Sequence, residues 1–223
     1  MKQKSRSREQ IIEEQIQRWR LMQIETLEEK IRFPTITISR EPGSGGSIVA
    51  KKLAGKLEFD LFHQEILHEM AQKSQVSAQI LKTLDEKGLS VLEDWITSLV
   101  QDRHLWPDQY LKQLMKVVVA IGKHSRAIIV GRGANFILPP DDCIKVRIIS
   151  PQRVRIQNVA KTFKISEKEA KRRVIRTESD RRAFVRKYFN AEIEDPVNYD
   201  IVINTGTLSM DRAVSSIAAL AAE

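Results

Sequence analysis

Apolar side chains recur along this chain with two different periods. Over residues 8–31, Ile12, Ile16, Trp19, Gln23 and Leu27 fall at helical spacing among Glu, Arg and Gln, which predicts an N-terminal helix that Pro34 ends. Thr35–Ser39, written Thr-Ile-Thr-Ile-Ser, predicts a short strand, and residues 59–62 a second. From Gln64 to Lys123 the pattern is almost entirely helical, with breaks predicted near Ser74–Ser77, Lys87–Ser90 and Trp106–Pro107. Val91, Leu92, Trp95, Ile96 and Leu99 fit one buried face; Leu111, Leu114, Met115, Val118 and Ile121 fit another. Three more strands follow at Ala127–Val130, Ile144–Ile149 and Ile201–Ile203. Basic helices fill 151–187, and a last helix runs from its N-cap Ser209 to about Ala222. Strands separated by helices predict an α/β fold, a parallel sheet with helices on both faces.

The chain has 223 residues, enough for one full core with an appended subdomain. No run of 18 apolar residues occurs, which excludes a spanning helix and predicts no membrane partner. The basic start, Met1–Arg8, is not followed by an apolar stretch of the kind a secretory signal needs. One cysteine, Cys143, excludes an internal disulfide and is expected in the core; the four histidines show no metal-ligand spacing. A cytoplasmic location is the expectation. The net charge of +8 is unevenly spread: Lys161–Lys187 holds eleven Lys or Arg against four Asp or Glu. Such a segment attracts polyanions, among them nucleotides and nucleic acid, or it is a solvated helix face.

The first strand runs directly into Arg40-Glu-Pro-Gly-Ser-Gly-Gly-Ser47, and a helix follows from about Ile48 to Leu57. Strand, glycine loop and helix form a unit in which successive backbone N–H groups cradle phosphate at a helix N-terminus. Gly43, Ser44, Gly45, Gly46 and Ser47 are the candidate cradle. Set against G-x-x-x-x-G-K-[ST], Gly45 takes the second glycine and Ser47 the metal-binding hydroxyl. Arg40 stands at the first glycine and Gly46 at the lysine. A substitute cation is then required for catalysis, with Arg40, Lys51 and the distal arginines as candidates.

Several blocks now agree in order. Ile36-Thr-Ile-Ser-Arg-Glu-Pro-Gly-Ser-Gly-Gly46 resembles the opening of the cytidylate kinase-like family, relatives of the P-loop nucleoside monophosphate kinases in which the loop lysine is commonly missing. Phe59-Asp-Leu-Phe-His-Gln-Glu-Ile-Leu67 resembles the segment after the second strand. Ile128-Ile-Val-Gly-Arg-Gly133 resembles a Gly-Arg-Asp segment with Gly133 in place of the aspartate. Glu178-Ser-Asp-Arg-Arg-Ala-Phe-Val-Arg186 is similar to the lid pattern E-R-D-x-R-D-x-x-R, keeping Glu178, Asp180, Arg182 and Arg186. Asp200–Ser209 resembles the last strand and the loop beyond it.

The resemblance implies a P-loop three-layer sandwich of about five parallel strands and transfer of the ATP γ-phosphoryl group to a nucleoside monophosphate or similar phosphate acceptor, with Mg²⁺ bridging phosphates. It divides the chain into an N-terminal helical extension (1–32) and a kinase-like domain (33–223), within which 64–124 is a helical acceptor-binding insertion and 155–190 an arginine-rich lid. It implies catalytic roles for Arg132, Asp180, Arg182 and Arg186, and acceptor contacts from Arg132, His63 and Arg155. Asn204 and Thr205 would border the adenine. For His63 a partly buried structural place is the stronger expectation, and for Arg155 a salt bridge is an equal one; Trp95 and Trp106 are expected to pack rather than to stack on a base. The N-terminal helix is expected to pack on the domain or on a second copy of the chain. Two other readings stay open: a nucleotide-binding sensor of the same fold, which the missing lysine favours, and a nucleic-acid-binding protein using the basic segment, which the 6% aromatic content disfavours.

Overall fold

The computed structural model of the chain describes residues 7–25, 34–124 and 126–221. Ten helices and five strands occur among them, in the order α1 (Arg8–Glu25), β1 (Thr35–Arg40), α2 (Gly46–Leu57), β2 (Asp60–Phe62), α3 (Gln64–Gln72), α4 (Ser74–Leu81), α5 (Glu86–Asp102), α6 (Gln109–His124), β3 (Ala127–Val130), α7 (Ala134–Ile137), β4 (Cys143–Ile149), α8 (Gln152–Phe163), α9 (Glu167–Phe189), β5 (Ile201–Asn204) and α10 (Met210–Leu220). The strands form one parallel sheet in the order β2-β3-β1-β4-β5. The chain reverses its direction of winding on either side of β1, so the carboxyl end of β1 is a switch point where ligands collect.

The period-2 alternation of the strands sorts their side chains between two cores. Ile36, Ile38, Ile128, Val130, Val146 and Ile148 meet Val49 and Leu53 of α2 and Ile217 of α10. The opposite face of β1 is Thr35, Thr37 and Ser39, all buried. Ser39 is in register with Arg147 of β4, whose Nη1 donates to Ser39 Oγ at 2.7 Å. A buried guanidinium is thereby placed under the carboxyl end of the sheet. The second core joins α3 and α6 to α1, with Cys143 buried in it. The α8–α9 hairpin has a small core of its own, from Val159, Ala170 and Val174.

The described part of the N-terminal helix spends its apolar face on its own domain. Ile12, Ile16 and Trp19 are buried there, and Trp19 stacks on His124 with ring centroids 4.4 Å apart. Gln15 and Arg18 both bond the Asp60 carboxylate. Leu21 of the same helix is exposed; residues 26–31 of the expected helix lie outside the described residues.

Other expectations shift. Two breaks in the helical insertion fall earlier than predicted, at Lys73 and at 82–85. Asp85 caps α5 by accepting from the Gly88 N–H at 2.7 Å, which draws Gly88 into the helix instead of leaving it in a turn. Val91 is exposed on α5 while Leu92 and Leu99 are buried. Trp95 packs as expected and donates to Ile137 O. Trp106 does not: it is 95% exposed in the loop before α6. Ser209 does cap the last helix, accepting from Arg212 N. No helix among the described residues is long and apolar enough to cross a membrane.

Burial lowers the His124 pKa from 6.5 to about 4. Between those values the unfolded chain binds a proton that the folded chain refuses, so stability falls as pH falls through this window. A loss of roughly 3 kcal/mol between pH 7 and pH 4 is expected from this one group. Urea denaturation of wild type and His124→Gln at both pH values checks it: the variant should lose less on acidification.

Candidate active site

Two cavities meet at the carboxyl end of β1. The first lies under the glycine loop and is lined by Glu41, Gly43, Gly46, Ser47, Asn158 and Phe163 among others. Its loop is tightly set. Gly43 has φ +81°, and a Cβ there would lie 2.4 Å from the Arg155 carbonyl oxygen. Asn158 Nδ2 donates to Gly43 O at 2.8 Å, and Thr205 Oγ1 donates to Ser44 O at 2.6 Å. The loop, α8 and the end of β5 therefore hold one another. Backbone N–H groups of Gly46 and Ser47 open the twelve-residue helix α2, where an anion is favoured.

The second cavity, of about 250 Å³, lies between the β3 end and α9; Gln64, Arg132, Asn135, Thr177, Asp180 and Phe184 are among its walls. Arg40 and Arg181 line both cavities. Through Arg132 and Phe184 the second cavity continues into a wider pocket bounded by His68, Gln72, Tyr110, Gln113 and Tyr188, between α3, α6 and α9.

Four guanidinium groups crowd this junction. Arg40 is depressed to about 9 by burial and by Arg181, Arg132 and Arg147, against which Glu65 acts. Arg181 is depressed to about 10 by burial first, then by Arg147 and Arg132, with Glu65 and Glu178 opposing. Arg181 Nη1 donates to the Arg40 carbonyl at 2.7 Å, and Arg40 Nη2 donates to Gln64 Oε1 at 2.9 Å. Arg132, held at φ +54°, lies over the Phe184 ring at 5.4 Å. The Nε atoms of Arg40 and Arg132 are buried without a hydrogen-bond partner. Like charges gathered under low dielectric are costly, and an anion entering the junction relieves that cost. Inorganic triphosphate at one hundred times its Kd is expected to stabilise the fold by roughly 2.7 kcal/mol, read as a Tm rise that sodium chloride of equal ionic strength does not reproduce.

The residues singled out from sequence are placed unequally. Gly43, Gly45, Gly46 and Ser47 line the loop cavity; Ser44 is buried beneath it with its hydroxyl donating to Glu41 O. Arg132 and Asp180 line the second cavity. Arg182 and Arg186 do not: they lie one helix face away, paired with Glu194 and Glu192 of the turn that follows α9. Arg155 is 5% exposed and locked by Glu41, Glu178 and the Ser150 carbonyl, so it lines neither cavity and its charge is met within the protein. His63 sits at the N-terminus of α3, half-buried, its pKa lowered by burial; its neighbour Gln64 is the one that faces the cavity. Asn204 and Thr205 cap the end of β5, through Gly206 N and the Ser44 and Ile149 carbonyls.

Arg181 went unnoticed in the sequence. The signal was present in the buried positions of α9, Ala170, Val174, Val185 and Phe189, whose helical stripe passes through 181. Arg147 was missed because a charged residue inside an apolar strand reads as an outward position.

Residues 35–207 match the model of the cytidylate kinase-like family. A cytidylate kinase of Pyrococcus horikoshii is 28% identical over 174 residues, covering 78% of this chain and 81% of that protein. One from Ignicoccus hospitalis is 22% identical over 182 residues, covering 82% and 95%. Among solved structures, an uncharacterized protein from Eubacterium ventriosum superposes with a TM-score of 0.60 at 22% identity, covering 85% of this chain and 99% of that one. It shares the fold.

Proposed function

Because the chain belongs to the cytidylate kinase-like family, we propose that it transfers the γ-phosphoryl group of ATP to the phosphate of a nucleoside monophosphate or a similar small acceptor. The observation that carries this reading is the arginine junction: two cavities, one under a phosphate loop, share the guanidinium groups of Arg40 and Arg181.

The donor polyphosphate lies on the α2 N-terminus, under α8. The acceptor phosphate rests on Arg132, and its head extends toward Tyr110, Tyr188 and the amides of Gln72 and Gln113. An acceptor phosphate oxygen attacks the γ-phosphorus; the bond to the bridging oxygen breaks and ADP leaves. Charge spread over the passing phosphoryl oxygens is met by Arg40, Arg132 and Arg181, which are already in place and need no solvent reorganisation. Residues 64–124 act as the acceptor-binding insertion and 155–190 as the lid, whose outer part has a small core of its own while Val185 and Phe189 anchor its base in the main core.

The metal fits as a passenger of the nucleotide. No group of three metal-ligating carboxylate, histidine or cysteine side chains occurs among the described residues, while the Ser47 hydroxyl is exposed in the loop cavity and Glu41 shares it. Ser47 would hold Mg²⁺ together with phosphate oxygens; bound there, Mg²⁺ neutralises polyphosphate charge.

A panel of monophosphates with Mg²⁺ and ATP tests the proposal. ADP formation should require an added acceptor and disappear in Arg132→Ala. Saturable ATP binding with no acceptor-dependent turnover would instead make the chain a nucleotide sensor, and salt-sensitive oligonucleotide binding indifferent to ATP would make it a nucleic-acid binder.

A further inference from the structure

We infer that Arg40 is the phosphate-loop cation of this chain, and that it excludes the lysine it replaces. The inference rests on the donor reading above and gives one residue its specific part in it.

The two departures from the G-x-x-x-x-G-K-[ST] pattern, Arg40 for glycine and Gly46 for lysine, are spatially one departure. A Cβ on Gly46 would lie 2.5 Å from Arg40 Cβ and 3.0 Å from its Cγ. Those atoms are the root of the Arg40 side chain, fixed by β1, and cannot swing aside as a flexible tip could. A side chain at 46 and a side chain at 40 therefore compete for one volume. Glycine at 40 opens it for lysine at 46; glycine at 46 opens it for arginine at 40.

The guanidinium then reaches the site by another route. It leaves the end of β1, passes beneath the loop and emerges between the two cavities, bonded to Gln64 and 9% exposed. Its Nε is buried and unpartnered, and no carboxylate forms an ion pair with it among the described residues. Arg155, by contrast, is held by Glu41 and Glu178, and Arg147 by the Ser39 hydroxyl; neither lines either cavity. Arg40 is held so as to leave donors unspent. Lys51, the other candidate cation, is exposed on α2 and lines neither cavity.

The test compares wild type with Arg40→Met, Gly46→Lys, Arg40→Gly and the double variant Arg40→Gly/Gly46→Lys. Mg–ATP affinity is measured by calorimetry, acceptor-dependent ADP formation kinetically, and folding by thermal melts. Arg40→Met keeps the stem and loses the charge; it should fold and lose about 100-fold in ATP affinity or turnover, the scale of one or two charge-assisted hydrogen bonds. Gly46→Lys alone should melt lower and bind poorly, because Arg40 blocks it. The double variant should regain at least about tenfold over Arg40→Gly, since the lysine then occupies the vacated space. Folded Arg40→Met with wild-type affinity and turnover overturns the inference, as does Gly46→Lys that melts and binds like wild type, or a double variant no better than Arg40→Gly. If wild type itself binds neither Mg–ATP nor inorganic triphosphate, the donor reading falls and this inference with it.

Discussion

Arg181→Ala is expected to lower kcat by about 10³–10⁵, the range over which a decisive arginine stabilises a transferring phosphoryl group, with less than about tenfold change in the acceptor KM. Position on α9 explains the size. Arg181 lies in the buried stripe of that helix, its Nη1 is fixed on the Arg40 carbonyl, and it faces the loop cavity and the acceptor cavity at once. A charge held in a water-poor site acts at nearly full strength on the oxygens that pass between the cavities. The cost of keeping it there without an anion appears in its depressed pKa, lowered chiefly by burial. Arg181→Lys should recover only part of the loss, because one ammonium cannot both hold the Arg40 carbonyl and present a planar fork to phosphate. Arg182→Ala and Arg186→Ala are the informative controls. Their ion pairs with Glu194 and Glu192 are substantially exposed, so each should change kcat by less than about tenfold. Steady-state kinetics on the best monophosphate from the panel decides it; equal losses at 181 and 182 would count against the geometry.

The contrast between 181 and 182 marks where sequence reading stops. Strands such as Ala127–Val130 announce themselves by apolar content, and the loop 43–47 by glycines that only a special backbone needs. Those features are local, and all five strands and their parallel arrangement were legible; their order was not. Arg181 and Arg182 are adjacent on α9, equally basic, and separated only by which helix face turns inward. A linear pattern placed weight on Arg182 and Arg186; the apolar anchors Val174, Val185 and Phe189 turn Arg181 inward instead. Thr35, Thr37 and Ser39 were read as strand, yet their meaning lies in the partner strand, where Arg147 stands opposite Ser39. Trp106 failed for the same reason in reverse. Its size predicts burial, but the loop between α5 and α6 turns it outward, and nothing local in the sequence records that.

Arg155→Ala is expected to destabilise the fold by about 3–5 kcal/mol, as removal of one partner from a buried charge cluster does. Arg155 is the node where the glycine loop, the end of β4 and α9 are joined. Its Nε donates to Ser150 O at 2.9 Å and lies 3.2 Å from Glu41 Oε2, while its terminal nitrogens straddle the Glu178 carboxylate at 3.3 and 3.4 Å. Glu41 also accepts from the Ser150 N–H, and it is the residue directly after β1. Alanine would leave both carboxylates facing a largely dry interior with no cation between them. The destabilisation therefore comes from stranded negative charge more than from the lost bonds, and this has a sharp consequence. Adding Glu41→Gln and Glu178→Gln to Arg155→Ala should return part of the lost stability, although it removes still more of the native ion pairs. Urea denaturation of the single and triple variants measures the difference. A triple variant less stable than the single one would show that the node holds α9 by attraction and not by neutralising buried carboxylates. Donor binding should follow a different course. The same node sets the Arg155 backbone against Gly43, so nucleotide affinity should stay low in the triple variant even where stability has returned. Stability and affinity separating in this way would mark Arg155 as serving the phosphate loop beyond its share in folding.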